Sequence, residues 1–334
     1  MTIVYAVIMF AILIFVHEFG HFIVAKACDV KVNEFSLGMG PAIFKKQKGE
    51  TLYALRAIPI GGYCAMEGED EDSEDERAFN KKNGWQKAAI VVAGAAMNVL
   101  LCLVIMIGIS IYSGTPNTTI SELSPGAPAE AAGLKAGDEI VMIDDKEIVE
   151  WEDITEAITG AEGSVSVVVN RSGHEMTFEM EPVKQGGRLI IGVLPGRDHN
   201  VLQGIGAGFR STADMTTIMI DSFRMLFAGE VGVDELSGPV GIVYAVNDTA
   251  KLGFIYVFYF TALISLNLAI VNMFPLPALD GGRLIFIIIR KITGKAITDE
   301  IEDKVHFIGI MLLLGLMVYV TWNDIMRFIL PIFQ

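Results

Sequence analysis

Residues 3–25 read IVYAVIMFAILIFVHEFGHFIVA, and within that run only His17, Glu18 and His21 carry a charge or an imidazole. A helix of about 20 apolar residues crosses a bilayer, so the run is long enough to span. Each ionisable group near the middle of such a helix costs about 3 kcal/mol on insertion scales. Three of them inside five positions therefore need a reason. On a helix, His17 and His21 are four apart and share a face. That spacing lets both reach one metal ion, with Glu18 beside them as a general base, the H-E-x-x-H pattern of a zinc site. The competing reading is a histidine pair satisfied by hydrogen bonds alone. No basic stretch precedes the run and no A-x-A-like cleavage site follows it, so it reads as a retained helix rather than a cleaved signal.

Three further runs have spanning length: Ala88–Pro116 and Leu252–Leu279, both free of charge, and Phe307–Trp322. A buried core helix is the alternative for runs of about 10–14 residues, and the fourth comes nearest to that limit. Lysine and arginine number 10 in residues 26–87, 9 in residues 117–253 and 5 in residues 280–304. The positive-inside bias puts the first and third connections in the cytoplasm. Residues 117–253 and both termini then face outside.

Working outward, residues 51–66 alternate weakly around Pro59-Ile60-Gly61-Gly62-Tyr63, which suggests a hairpin. Glu67–Glu76 holds eight carboxylates in ten residues and reads as a solvated, mobile loop. Residues 117–185 carry strand-like runs at Glu139–Ile143 and Ser164–Val169, and a helical pattern at Trp151–Ile158. Within them, Ala132-Gly133-Leu134-Lys135-Ala136-Gly137-Asp138-Glu139-Ile140 resembles the G-L-x-x-G-D-x-I signature of PDZ domains. A PDZ groove takes a peptide C-terminus by strand addition; a spacer domain without a ligand is the plainer alternative. Arg210, Asp214, Asp221 and Arg224 lie opposite Met215, Ile218 and Phe223, which makes residues 210–227 an amphipathic helix. It either lies on a membrane surface or packs on the domain. Cys28, Cys64 and Cys102 are isolated and indicate no disulfide framework.

A zinc site needs a third protein ligand and an open position for water. The candidate is Asp280, at the end of Asn272-Met273-Phe274-Pro275-Leu276-Pro277-Ala278-Leu279-Asp280-Gly281-Gly282. Pro275 and Pro277 break a helix there, which a membrane tolerates only beside protein or water. Asp280 also suits the N-terminus of a helix over 281–290. His174, His199 and His306 have no ligand spacing and read as structural or exposed.

H-E-x-x-H in the first span, N-x-x-P-x-P-x-L-D-G late in the chain and a PDZ-like segment between them resemble the site-2 protease family. Within it the chain is similar to the RseP-type bacterial intramembrane zinc metalloproteases, over nearly its whole length. Pro59–Tyr63 with Met66–Glu69, Arg77–Asn80 and Ser237-Gly238-Pro239-Val240-Gly241-Ile242 match family segments. Ala93-Gly94-Ala95 before Asn98 stands where the family usually has A-G-P, and there is one PDZ-like segment where some members have two.

The resemblance implies a polytopic α-helical membrane protein of four transmembrane helices with an inserted extracytoplasmic PDZ-like mixed α/β domain. The expected division is 1–116, 117–185, 186–251 and 252–334. It implies Zn²⁺ held by His17, His21 and Asp280, with Glu18 as base. Asn272 and the hairpin residues Ile60, Gly61 and Gly62 would bind substrate. The substrates would be single-span membrane proteins, cut within the bacterial cytoplasmic membrane toward its cytoplasmic side. A membrane-anchored PDZ adaptor without catalysis is the alternative, and the intact His17, Glu18, His21, Asp280 set argues against it.

Composition agrees. The 334 residues are 52% apolar yet carry a net charge of −15. Low charge content excludes a disordered chain, and no basic face suggests nucleic acid. The acidity concentrates in residues 117–185, with 4 basic residues against 15 acidic.

Overall fold

The computed structural model describes residues 2–69, 71–232, 235–293 and 299–330. The chain packs as two compact units, Met1–Met106 with Arg210–Gln334, and Ile107–Phe209.

The first unit opens with α1 (Thr2–Ala27), then β1 (Val32–Lys48) and β2 (Thr51–Met66), then α2 (Gly84–Ser113). Among the described residues, four helices are long and apolar enough to cross a membrane: Val4–Ala27, Gly84–Ser113, Phe254–Asn272 and Lys304–Phe328. The third is shorter than the apolar run Leu252–Leu279 suggests. Gly253, at φ 124°, separates it from the helix before it. At the other end Pro275 and Pro277 cannot donate to a helix, so residues 273–279 form a turn instead.

β1 and β2 are long strands with repeated register shifts. Phe35 on β1 stands beside both Cys64 and Tyr53, while Lys45–Lys48 of β1 fold back on Thr51–Ala54. The result is a small sheet whose last segment, Gly62–Met66, pairs with residues 32–37. Phe35, Cys64 and Met66 are buried against Ala25, Val30, Val32 and Ile90, and Phe19, Phe22 and Tyr53 pack around them. The hairpin expected within 51–66 is instead one long strand paired with 32–48, so the hairpin is formed by β1 and β2, and it is anchored to the C-terminal half of α1. The N-terminal half of α1 presents Ala6, Met9 and Leu13, three and four residues apart, to Val246, Phe260, Ile264 and Leu101.

The acidic run is not a free loop. Glu67 accepts from Ser73 and Asn33, Asp75 pairs with Lys31, Asp72 accepts from Asn80, and Glu69 pairs with Arg283. The basic residues that match it lie far away in sequence, so local charge density alone gave no sign of them.

After the second unit come α5 (Val201–Ala228), α6 (Pro239–Leu252), α7 (Phe254–Asn272), α8 (Asp280–Thr293) and α9 (Asp299–Asp324). Phe223 and Phe227 of α5 meet Phe274 edge-on, with ring centres 4.9 and 5.7 Å apart. This end of the amphipathic helix meets the turn after α7 rather than the PDZ-like segment, while Ile218 and Met225 remain exposed. The segment Ser237–Ile242 receives a carboxylate. Gly241 N–H donates to Asp324 Oδ2 at 2.8 Å in the first turn of α6. A methyl group on Gly238 or Gly241 would lie 2.9 or 3.0 Å from that carboxylate. The two glycines let Asp324 reach a helix N-terminus, where its charge is favoured.

The second unit holds a six-stranded sheet in the order β10-β3-β4-β6-β7, with β5 on β4. Its elements are β3 (Thr115–Leu123), α3 (Pro128–Ala132), β4 (Glu139–Ile143), β5 (Lys146–Glu147), α4 (Trp151–Thr159), β6 (Val165–Arg171), β7 (His174–Met180) and β10 (Val193–Asp198). A separate pair, β8 (Val183–Gln185) and β9 (Arg188–Ile190), precedes β10. Because β10 pairs with β3, the sheet runs past Gln185. Alternate residues Val165, Val167 and Val169 face a core that Ile154 and Ile158 of α4 cover. The A-G-L-K-A-G-D signature has a structural cause. Gly133, at φ 99°, ends α3, Leu134 is buried, and Gly137, at φ 93°, delivers Asp138 into the core edge.

There Asp138 accepts from Arg171 at 2.6 and 2.7 Å and from Lys135 N–H at 2.8 Å. The Arg171 guanidinium holds the Asp138 carboxyl below its usual range. A depressed folded pKa stabilises above the unfolded value, near pH 4, and that stability is lost as pH falls through the folded pKa. Asp138→Ala is expected to destabilise this unit by about 3 kcal/mol at pH 7. It should also flatten the loss of stability below about pH 4. Urea unfolding followed through Trp151, with Trp85 and Trp322 replaced by Phe, measures both.

Candidate functional site

α1 presents His17 and His21 on one face and Glu18 next to it. Both histidines are buried. Their Nε2 atoms are 3.3 Å apart. Asp280, the first residue of α8, brings Oδ2 to 3.3 Å from His17 Nε2 and 3.5 Å from His21 Nε2. Among the described residues, no other three His, Cys, Asp or Glu side chains converge this way.

Each imidazole is oriented from behind. His21 Nδ1 lies 2.8 Å from the carbonyl of Ile90, so Nδ1 carries the proton and Nε2 keeps its lone pair. His17 Nδ1 faces the Asn98 amide at 3.4 Å. Asn98 is fully buried, and its Oδ1 lacks a hydrogen-bond partner when Nδ2 faces the ring. Turning the amide over places Oδ1 on an Nδ1–H and frees Nε2, which satisfies both groups. Asn98 O in turn accepts from Ser265 Oγ of α7 at 2.8 Å.

Space is made by glycine. A methyl group on Gly94 would lie 2.3 Å from His21 Nε2, and one on Gly20 would lie 2.3 Å from Ala93 O. α1 and α2 therefore touch backbone to backbone beside the rings. The Asp280 side is as tight. Methyl groups on Gly281 and Gly282 would meet the carbonyls of Phe274 and Leu276 at 2.3 Å. Asn272, the last residue of α7, directs Nδ2 to 3.4 Å from His17 Nε2.

Glu18 is half-buried and accepts a hydrogen bond from the backbone N–H of Cys64. Gly62 stands against it; a methyl group there would be 3.3 Å from Glu18 Cγ and 2.9 Å from Ser36 O. Gly61, at φ 84°, turns the strand just before this approach. The backbone of Ile60 lies in β2; its side chain is outside the described residues. The structure thus brings His17, Glu18, His21, Asp280, Asn272 and Gly62 into one place.

Sequence reading passed over Ile90, Gly94 and Asn98 as parts of the site. They are spaced by four, so α2 lines them up on one buried face. The available signal was Asn98 itself, a lone amide in an uncharged apolar run.

The family model described as Peptidase family M50 matches residues 5–316. The chain belongs to this family. A Clostridium acetobutylicum protein named as a zinc metalloprotease is 36% identical over 330 residues, covering 97% of each chain. The zinc metalloprotease RasP of Oceanobacillus iheyensis is 32% identical in an alignment of 422 residues, covering 98% of this chain and all of that one. A solved PDZ domain of an SdrC-like protein from Listeria monocytogenes matches 25% of this chain and 88% of its own, at 19% identity and a TM-score of 0.21. The M50 chain is therefore a site-2-type zinc metalloendopeptidase and a membrane protein, and its metal is Zn²⁺.

The residues fit that ion. Two imidazoles and one carboxylate, with donor atoms within 4.8 Å of one another, are a familiar zinc donor set. Asp280 Oδ2 is buried without a hydrogen-bond donor, as an atom reserved for a cation would be. The outer partners on His17 and His21 are those that zinc-binding histidines keep. Asn98→Leu is expected to weaken zinc binding about 10–100-fold by freeing the His17 ring. Competition of the purified protein with a chromogenic chelator checks it.

Proposed function

We propose that this M50 chain hydrolyses peptide bonds inside the transmembrane segments of single-span membrane proteins. The observation that carries the reading is the convergence of His17, His21 and Asp280 between helices apolar enough to span a bilayer, with Glu18 beside them. His17, His21 and Asp280 hold zinc. When bound, the ion supplies a Lewis acid that acidifies water towards neutral pH and polarises a peptide carbonyl. Glu18 takes the proton of the attacking water onto its carboxylate and delivers it to the leaving amine. The Cys64 N–H keeps the carboxylate aimed at that place.

A transmembrane helix hides its amides in its own hydrogen bonds. Cleavage needs a local stretch of extended chain. Ile60, Gly61 and Gly62 offer a backbone edge beside Glu18, and a substrate adds to it as a strand. The absence of a side chain at Gly62 lets that strand lie close to the base. The Asn272 amide, 3.4 Å from His17 Nε2, holds a substrate carbonyl.

The chain lies in a bacterial cytoplasmic membrane as four spans, with the site toward the cytoplasm and the PDZ-like domain outside. The substrates are membrane proteins trimmed beforehand on the outer side, such as anti-sigma factors, or remnant signal peptides. The PDZ-like domain takes a newly made C-terminus or keeps out bulky ectodomains.

Glu18→Gln is expected to lower cleavage of a model transmembrane substrate by 10²–10⁴-fold or more while zinc stays bound. Equal cleavage by both proteins would overturn the mechanism. Asp280→Ala should lose stoichiometric zinc by elemental analysis. Ile60→Pro removes a strand N–H, so it should reduce cleavage and leave zinc content unchanged.

A further inference from the structure

The turn that presents Asp280 is an unusual piece of backbone. Pro275 and Pro277 have no N–H to donate. The remaining donors from Phe274 to Leu279 can be followed one by one. Phe274 N–H reaches Val271 O, Leu276 N–H reaches Phe274 O, and Leu279 N–H reaches Leu276 O. Each of those acceptors is local. Ala278 N–H is the exception, donating to Nδ1 of His306 at 2.8 Å, from 28 residues further along the chain.

Ala278 also has φ +76°, a left-handed conformation that a residue with a Cβ adopts at a cost. Two residues later the chain delivers Asp280 to His17 and His21. The strained residue and the externally held amide are thus the same residue. His306 lies on α9, and one turn further Gly309 faces the same loop. A methyl group on Gly309 would sit 2.5 Å from Pro277 Cβ and 2.6 Å from Pro277 O. α9 therefore meets the turn with an acceptor and a gap, at positions 306 and 309 of one helix face.

The tautomer is set as well. An Nδ1 that accepts leaves the ring proton on Nε2. Nε2 stands 3.8 Å from Glu302 Oε1, and the other oxygen of Glu302 accepts from Arg290 of α8 at 2.6 Å. Arg290 and Asp280 belong to the same helix. The ligand helix is thereby tied to α9 at its far end through Glu302 and at its start through the Ala278 amide.

We propose that His306 is a positioning residue for the metal site, fixing through Ala278 N–H the backbone turn that aims Asp280 at the two histidines. This rests on the reading of Asp280 as a ligand. His306 touches neither metal nor substrate; it acts through the backbone. Gly309 supports the same turn by letting α9 approach Pro277.

The test uses the full-length protein in lipid nanodiscs, loaded with zinc, and reads the rate at which a chelator removes the ion. His306→Leu keeps bulk and removes the acceptor. It should release zinc about 10–100-fold faster than the parent. His306→Asn puts an amide oxygen close to the Nδ1 position and should restore retention to within a few fold. Gly309→Ala should accelerate release by displacing Pro277. Thermal unfolding of each variant separates this from general loss of fold, since His306→Asn and His306→Leu both remove the ring.

Asp280→Ala is measured beside them. If it retains zinc like the parent, the ligand assignment fails and takes this inference with it. If Asp280→Ala loses zinc but His306→Leu holds it like the parent, only the role of His306 is overturned. If His306→Asn releases zinc as fast as His306→Leu, the ring's shape rather than its acceptor is what matters, and the proposal is wrong.

Discussion

His17, His21 and Asp280 meet inside a packed bundle of apolar helices, where a ring nitrogen or carboxylate oxygen without a partner costs several kcal/mol. That requirement shapes the elements around them. The Nδ1 atoms face Ile90 O and Asn98, both on one stripe of α2. Gly94 lies on the same stripe and leaves room for the rings. What is left over, two Nε2 atoms and one Oδ2, points inward at a single place. A cation resolves this arrangement better than a proton does. One proton can bridge two of the three atoms at a time, whereas one ion satisfies all three.

The second demand falls on the backbone. An aspartate on a straight membrane helix could not start a helix at the site and face the histidines at once. The Pro-x-Pro interruption ends α7 at Asn272 and restarts the chain as α8 at Asp280. The glycines at 281 and 282 let the turn fold over the start of α8. Non-helical backbone among apolar helices survives only where protein answers its donors. α9 supplies that answer at Ala278. The last apolar helix thus holds the turn that brings Asp280 beside the two histidines.

The site was legible where it interrupts a strong background. H-E-x-x-H stands out because the residues around it are apolar, and Asp280 because two prolines and two glycines mark the break before and after it. The long apolar helices were legible for the same reason, apart from the third, whose apolar run continues through a turn that composition does not register. Trp151, Ile154 and Ile158 gave α4 by spacing. The contribution of α2 was missed because glycine and asparagine in an apolar run carry no periodic signal of their own; their importance comes from what lies opposite. His306 is structural, one of the two readings the sequence left open, but its partner is a backbone amide, which no side-chain pattern reveals. The reach of the β-sheet beyond residue 185 was not legible for a related reason. β10 pairs with β3 across most of the domain, and long-range pairing leaves little local trace.

The charge pattern shows two different uses of acid in one chain. Residues 117–185 have 15 acidic residues against 4 basic, so most of their carboxylates have no basic residue to match within the segment. The acidic run after β2 is shorter and denser, and Glu67, Glu69, Asp72 and Asp75 within it are engaged. Glu67 and Asp75 pair with Lys31, just past the end of α1, and Glu69 with Arg283 on the helix that begins at Asp280. Glu50, in the turn of the hairpin, accepts from Arg77 and Lys26, and those hydrogen bonds hold its carboxyl down to about 2. A folded pKa that low keeps the carboxylate charged, and these contacts in place, through the whole range in which carboxyl groups ordinarily titrate. Exposed pairs contribute little to global stability. Their effect here is geometric: Lys26, Lys31 and Arg283 lie on or beside the helices that carry His17, His21 and Asp280. Glu50 and the acidic run therefore tie the β1–β2 pair to α1 and α8, the helices that carry His17, His21 and Asp280.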